Sequence, residues 1–154
     1  MKLDINLIDP NLINWLDLCK CSIGFAEVFV KEPGVEFAHA LHLDGVVFDN
    51  HVKLNFVVDP GTSVMRWWQL SPGNQCFEKT TIVGTRYLWA RRAECTLLAE
   101  SSLAQPSLIN AGQLHSVDQI DKTRICYSFM LVHKDTKKRV LWSDIGSMFG
   151  EYVQ

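Results

Sequence analysis

Short apolar runs, cut at intervals by turn residues, set the pattern of this chain. The run GFAEVFVKE is aromatic and β-branched and ends at Pro33-Gly34, which is turn chemistry. VEFAHALHLDG follows and is closed by Gly45. VKLNFVVD stops at Pro60-Gly61, and SVMRWWQL stops at Ser71-Pro72-Gly73-Asn74. FEKTTIVG, ECTLLAES, PSLINAGQLHSV, TRICYSFMLVH and RVLW continue the series. So many short strands at this spacing predict an all-β barrel or jelly roll. TRYLWARRAE fits either a strand or a helix. A helix is expected from Pro10 to Cys19, with apolar residues at 12, 13, 15, 16 and 18 and proline suited to the first turn. The tail SDIGSMFGEYV predicts a second short helix capped by Ser143. No repeat, low-complexity segment or linker divides the chain, so residues 1–154 read as a single domain.

Composition narrows the partners. The 154 residues carry a net charge of -2, which gives no electrostatic reason to expect nucleic acid or an anionic membrane. No apolar run approaches the ~20 residues needed to cross a bilayer. Five cysteines, an odd number, and no secretory signal predict reduced thiols and a cytoplasmic location.

Candidate chemistry centres on HLDG. On a strand, residues i and i+2 point to one face, so His42 and Asp44 present an imidazole and a carboxylate side by side. His115, in NAGQLHSV, must arrive from another strand. Two histidines and one carboxylate on one side of an ion leave positions open for oxygen and a co-substrate, the ligand set of non-haem Fe(II) oxygenases. Residues around His115 and Arg124 are expected to form a hairpin across the polar stretch DQIDKT. With Asp118 opposite Thr123, His115 falls opposite Cys126, and Arg124 shares its face. A guanidinium there meets the far end of an acid chelating the ion. Ser128 shares that parity, and Asn55, in mid-strand, is a candidate to face the co-substrate.

FAHALHLDG, KLNFVV, PSLINAGQLHSV and KTRICYSF, in that order, resemble the Fe(II)/2-oxoglutarate-dependent dioxygenases. The chain is most similar to small proteins of the aspartyl/asparaginyl β-hydroxylase-like kind, over roughly residues 36 to 130. The resemblance implies a double-stranded β-helix of cupin type. It implies that His42, Asp44 and His115 bind iron and that Arg124 binds the distal carboxylate of 2-oxoglutarate. The implied activity is hydroxylation of an aspartyl or asparaginyl side chain, in a peptide, a protein or a related small molecule. Many members carry a serine two residues after the arginine, where this chain has Cys126. The branch that demethylates nucleic-acid bases has a second arginine six residues after the first, where this chain has Met130. The rival reading is a non-catalytic cupin-type module whose barrel mouth binds a metal, a ligand or a protein.

Other features read as structural. His39 lies three residues before His42, so on a strand the two rings face opposite ways. His51 and His133 lack a partner pattern and read as surface residues. Cys19 and Cys21 lack a second pair at zinc-ribbon spacing. Of Trp67 and Trp68, one is expected to face in and one out. The run Lys134, Lys137, Lys138, Arg139 reads as a solvated turn.

Overall fold

Over residues 1–34, 41–81 and 84–152, those that the computed structural model describes, the chain forms ten strands and two short helices. Helix α1 (Pro10–Leu18) starts where the Asp9 carboxylate accepts the Asn11 N–H at 2.8 Å and Pro10 takes the first turn, a position that asks for no backbone donor. The strands are β1 (Cys21–Lys31), β2 (His42–Leu43), β3 (Val52–Val58), β4 (Val64–Leu70), β5 (Phe77–Thr80), β6 (Arg86–Trp89), β7 (Cys95–Ser101), β8 (Ser107–Asn110), β9 (His115–Asp118) and β10 (Arg124–His133). Helix α2 (Ile145–Phe149) closes the described chain.

All pairings are antiparallel and build two sheets, ordered β1-β10-β3-β8 and β5-β6-β2-β9-β4-β7. From β1 to β4, and again from β7 to β10, consecutive strands alternate between the sheets, with β5 and β6 as an added hairpin. The protein is therefore mainly β, as its pattern predicts. No helix among the described residues is long and apolar enough to cross a membrane.

Strand alternation gives the first sheet two unlike faces. One face carries Ala26, Val52, Leu54, Phe129 and Leu131, which bury against Leu16 of α1 and Ile145 and Phe149 of α2. The other looks to the second sheet. On it lie Lys31, whose ammonium donates to the Val117 carbonyl of β9 at 2.9 Å, and the buried residues Lys53, Asn55, Arg124, Cys126 and Ser128. Met65, Ile109 and Ala111 fill an apolar part of the space between the sheets. A separate cluster of Leu41, Leu43, Trp68, Ala90 and Leu114 covers the far side of the second sheet.

Several expectations are corrected. The segments around His115 and Arg124 are not a hairpin: β9 pairs with β2 and β4, while β10 pairs with β1 and β3. The link between them crosses from one sheet to the other. It is anchored on the β3–β4 turn, where Thr62 donates its N–H to Asp121 and its hydroxyl to the Gln119 carbonyl. PSLINAGQLHSV is two strands in different sheets, separated by a turn. There, a Cβ on Gly112 would fall 2.5 Å from Asn50 N, so only glycine allows that approach. RVLW forms only isolated bridges at Arg139 and Leu141. TRYLWARRAE divides into β6 and a single 3-10 turn, Arg92–Glu94. Ser143 does not cap α2; the Asp144 carboxylate takes the Leu141 N–H at 2.9 Å, because that chain end needs an acceptor for a backbone donor. Of VEFAHALHLDG, residues 35–40, and His39 with them, lie outside the described residues.

Candidate metal centre

The centre is built on β2, which is short but held on both sides. His42 is the register partner of Trp89 on β6 and of His115 on β9. Antiparallel partners project to one face, so the two imidazoles meet, with ring centroids 4.7 Å apart. Asp44 follows two residues later, its N–H bonded to the Ala111 carbonyl at 3.0 Å. Gly45 then turns the chain at φ +129°, a region that favours glycine.

The donor atoms converge. Asp44 Oδ1 lies 3.4 Å from His42 Nε2 and 3.9 Å from His115 Nε2, and the three donors all fall within 4.8 Å of one another. A common ion with bonds of about 2.1 Å needs donors roughly 3–3.5 Å apart on one side, a change within reach of small side-chain rotations. The chemistry of the set fits a divalent transition ion: two imidazoles and one carboxylate, with one side left open. His115 Nδ1 lies 2.8 Å from the Gln113 carbonyl. That contact places the proton on Nδ1 and turns the Nε2 lone pair toward the other donors.

Charge tunes the same atoms. Burial alone pushes the Asp44 carboxyl up, but the Lys53 ammonium, then the hydrogen bond from His42 and the charges of both imidazoles, hold it well below 3.8. Lys53 lies 2.8 Å from Asp44 Oδ2 and 3.2 Å from Glu27 Oε2. These two carboxylates outweigh its own burial and keep it charged. Burial, helped by His42, drops His115 to about 4. It is therefore a neutral donor, able to serve a metal ion, at any pH near 7.

A pH dependence follows for the metal-free protein. Unfolded, His115 titrates near 6.5, so between about 6.5 and 4 the unfolded chain binds more protons than the native one. Stability is expected to fall as pH drops through that window. The depressed value of Asp44 acts separately, below its ordinary value of 3.8. Urea unfolding at a series of pH values from 7 to 4 measures the effect, and a flat profile contradicts it.

On the facing sheet Arg124 is buried, 6% exposed. Burial lowers its pKa, while Cys126 beside it opposes the shift. Among the described residues no carboxylate lies within ion-pair distance of its guanidinium. Its register partner is Lys31, which reaches β9 two residues beyond His115. Ser128 donates its hydroxyl to Asn55 Oδ1 at 2.7 Å, both buried. The structure thus brings His42, Asp44 and His115 together, and sets Arg124, Ser128 and Asn55 on the inner face of the opposite sheet. Cys126 is buried between Arg124 and Lys53, and its thiol is raised by burial against the pull of both cations.

Lys53 and Glu27 are absent from the sequence reading. A signal existed: Lys53 shares strand parity with Asn55, so a site placed at one implicated the other. His51 is corrected from surface to core, 1% exposed with Nδ1 2.6 Å from Asp49 Oδ1, because a carboxylate two residues away supplies the partner that allows burial. His133 is half-buried and bonds the Asp144 carboxylate at 3.1 Å. Trp68 is buried on the outer face of the second sheet, with its indole N–H on Ser116 at 3.0 Å. Trp67, the register partner of His115, lies on the inner face, packed against the Met65 cluster, with its N–H on the Asn110 carbonyl. Cys19 and Cys21 are free, buried thiols.

Comparison with the models of known protein families, with curated proteins and with solved structures finds no match to this chain.

Proposed function

We propose that this chain is an Fe(II)- and 2-oxoglutarate-dependent oxygenase built on a double-stranded β-helix. The observation that carries the reading is the meeting of His42 Nε2, His115 Nε2 and Asp44 Oδ1 within 4.8 Å of one another, while a buried guanidinium, Arg124, stands on the inner face of the facing sheet. Strand order supports the fold assignment. With the β5–β6 hairpin set aside, the eight remaining strands stand 1-8-3-6 in one sheet and 2-7-4-5 in the other, the arrangement of a chain wound twice as a hairpin.

His42, Asp44 and His115 hold the ion. Arg124 takes the far carboxylate of 2-oxoglutarate through a charge-assisted fork. Ser128 and Asn55, bonded to each other, supply further polar contacts on the same wall. Bound iron supplies the redox chemistry: one O2 is consumed, 2-oxoglutarate becomes succinate and CO2, and a substrate C–H becomes C–OH. The substrate class, an aspartyl or asparaginyl side chain or a related small molecule, rests on the resemblance of the HLDG, QLHSV and KTRICYSF segments.

Succinate release tests the reading. Aerobic protein with Fe(II) and 2-oxoglutarate is expected to form succinate even without the prime substrate, slowly, and to stop when a chelator removes the metal. Folded, iron-loaded protein that forms none points to the non-catalytic binding module instead.

A further inference from the structure

We propose that Lys53 is a positioning residue that restricts Asp44 to ligation through a single oxygen. The inference rests on the metal reading above and concerns the part of the centre that no sequence motif marks.

Lys53 sits in the middle of β3, on the inner face, and is 2% exposed. A lysine is a poor choice for packing alone, because an ammonium removed from water must recover its lost solvation from fixed partners. Here the partners are specific. Asp44 Oδ2 lies 2.8 Å from Nζ and Glu27 Oε2 lies 3.2 Å away. The rings of Phe25 and Phe29 stand 5.4 and 5.5 Å from the same nitrogen, within cation–π range. Two carboxylates and two aromatic faces leave the ammonium little freedom.

The division of labour on Asp44 follows. Oδ2 is engaged by Lys53, and Oδ1 is the oxygen nearest both Nε2 atoms. A carboxylate free at both oxygens can chelate an ion and occupy two coordination positions. One held by an ammonium on one oxygen offers only the other, so a second position stays open. Glu27, on β1 across the intervening β10, balances the rest of the lysine charge. It lets Lys53 serve Asp44 without leaving a net positive group beside the ion. Partners of this kind, one step from a ligand, typically change metal affinity by 10–100-fold when removed.

The test uses full-length protein and Co(II) alone, without 2-oxoglutarate. Two quantities are read: the dissociation constant, and the metal-minus-apo infrared difference spectrum. In that spectrum a wide split between the antisymmetric and symmetric carboxylate stretches marks single-oxygen ligation, and a narrow split marks chelation. Wild-type protein is expected to show the wide split. Lys53→Met is expected to bind Co(II) about 10–100-fold more weakly and to show a narrowed split. Glu27→Gln, which leaves Lys53 on Asp44, is expected to keep the wide split and to lose less affinity than Lys53→Met. The proposal is overturned by a narrow split in the wild type, by Lys53→Met behaving like wild type, by its losing affinity with the split unchanged, or by Glu27→Gln matching its loss. If Lys53→Met does not fold, the wild-type split decides alone. Wild-type protein that binds no Co(II) overturns the metal centre and this inference together. Co(II) binding by a protein that, in the separate aerobic assay with Fe(II) and 2-oxoglutarate, forms no succinate overturns only the oxygenase reading.

Discussion

Replacing His115 with alanine is expected to weaken Fe(II) binding at least about 100-fold, equivalent to roughly 2.7 kcal/mol, and to remove the stability loss between about pH 6.5 and 4. The imidazole is one of three protein donors, and the two that remain, His42 and Asp44, share one short stretch of chain. No other histidine among the described residues can substitute, since His51 and His133 are committed to Asp49 and Asp144. The loss is expected to come from the donor rather than from a collapsed fold. Strand β9 keeps its pairing with β4 through Val64, Met65 and Arg66, and Ser116 on its other face stays tied to Trp68 and Asp118. Anaerobic Fe(II) titration measures the affinity, and circular dichroism checks the sheets. A variant that binds iron as well as wild type removes His115 from the ligand set.

Arg124→Met is expected to do the opposite: iron binding changes less than about threefold, while the 2-oxoglutarate dissociation constant rises roughly 100-fold. That factor is roughly 2.7 kcal/mol, the worth of about one hydrogen bond between charged partners at about 1.5–3 kcal/mol each, and so a lower bound for the loss of a two-pronged contact. The site favours such an interaction because Arg124 is buried without a carboxylate among the described residues, so a ligand anion gains a partner already stripped of water. Methionine keeps much of the volume, so packing against Cys126 and Lys31 is largely preserved. Calorimetric titration of the metal-loaded variant with 2-oxoglutarate provides the number. Equal affinity in the variant and wild type would place the co-substrate elsewhere.

Much of this arrangement was legible in the sequence, for local reasons. Strands such as β3 and β10 announce themselves through β-branched and aromatic runs closed by turn residues. His42 and Asp44 come to one side through a two-residue spacing that depends on nothing beyond their own short segment. The inward direction of Arg124 has the same source: parity puts it with Cys126 and Ser128 whatever lies beside β10. Lateral pairing was not legible. The hairpin between His115 and Arg124 looked plausible because DQIDKT is polar and short, yet those residues bridge two sheets. That bridging comes from two sheets between which the chain crosses, a long-range fact that no turn sequence encodes.

Buried charge was hidden for a related reason. Lys53 and Glu27 stand on strands β3 and β1, separated by β10, and meet only once the first sheet is assembled. Taken singly, each reads as the polar, solvated side of an alternating strand. The burial of His51 is hidden in the same way, since its acceptor Asp49 sits two residues away in a loop that the periodicity does not describe.

The most direct measurement of the central claim is the anaerobic visible spectrum of the protein with one equivalent of Fe(II) and excess 2-oxoglutarate. The account predicts a weak metal-to-ligand charge-transfer band that appears only with both additions and is absent from His42→Ala. Folded, iron-loaded wild-type protein that shows no band would contradict it.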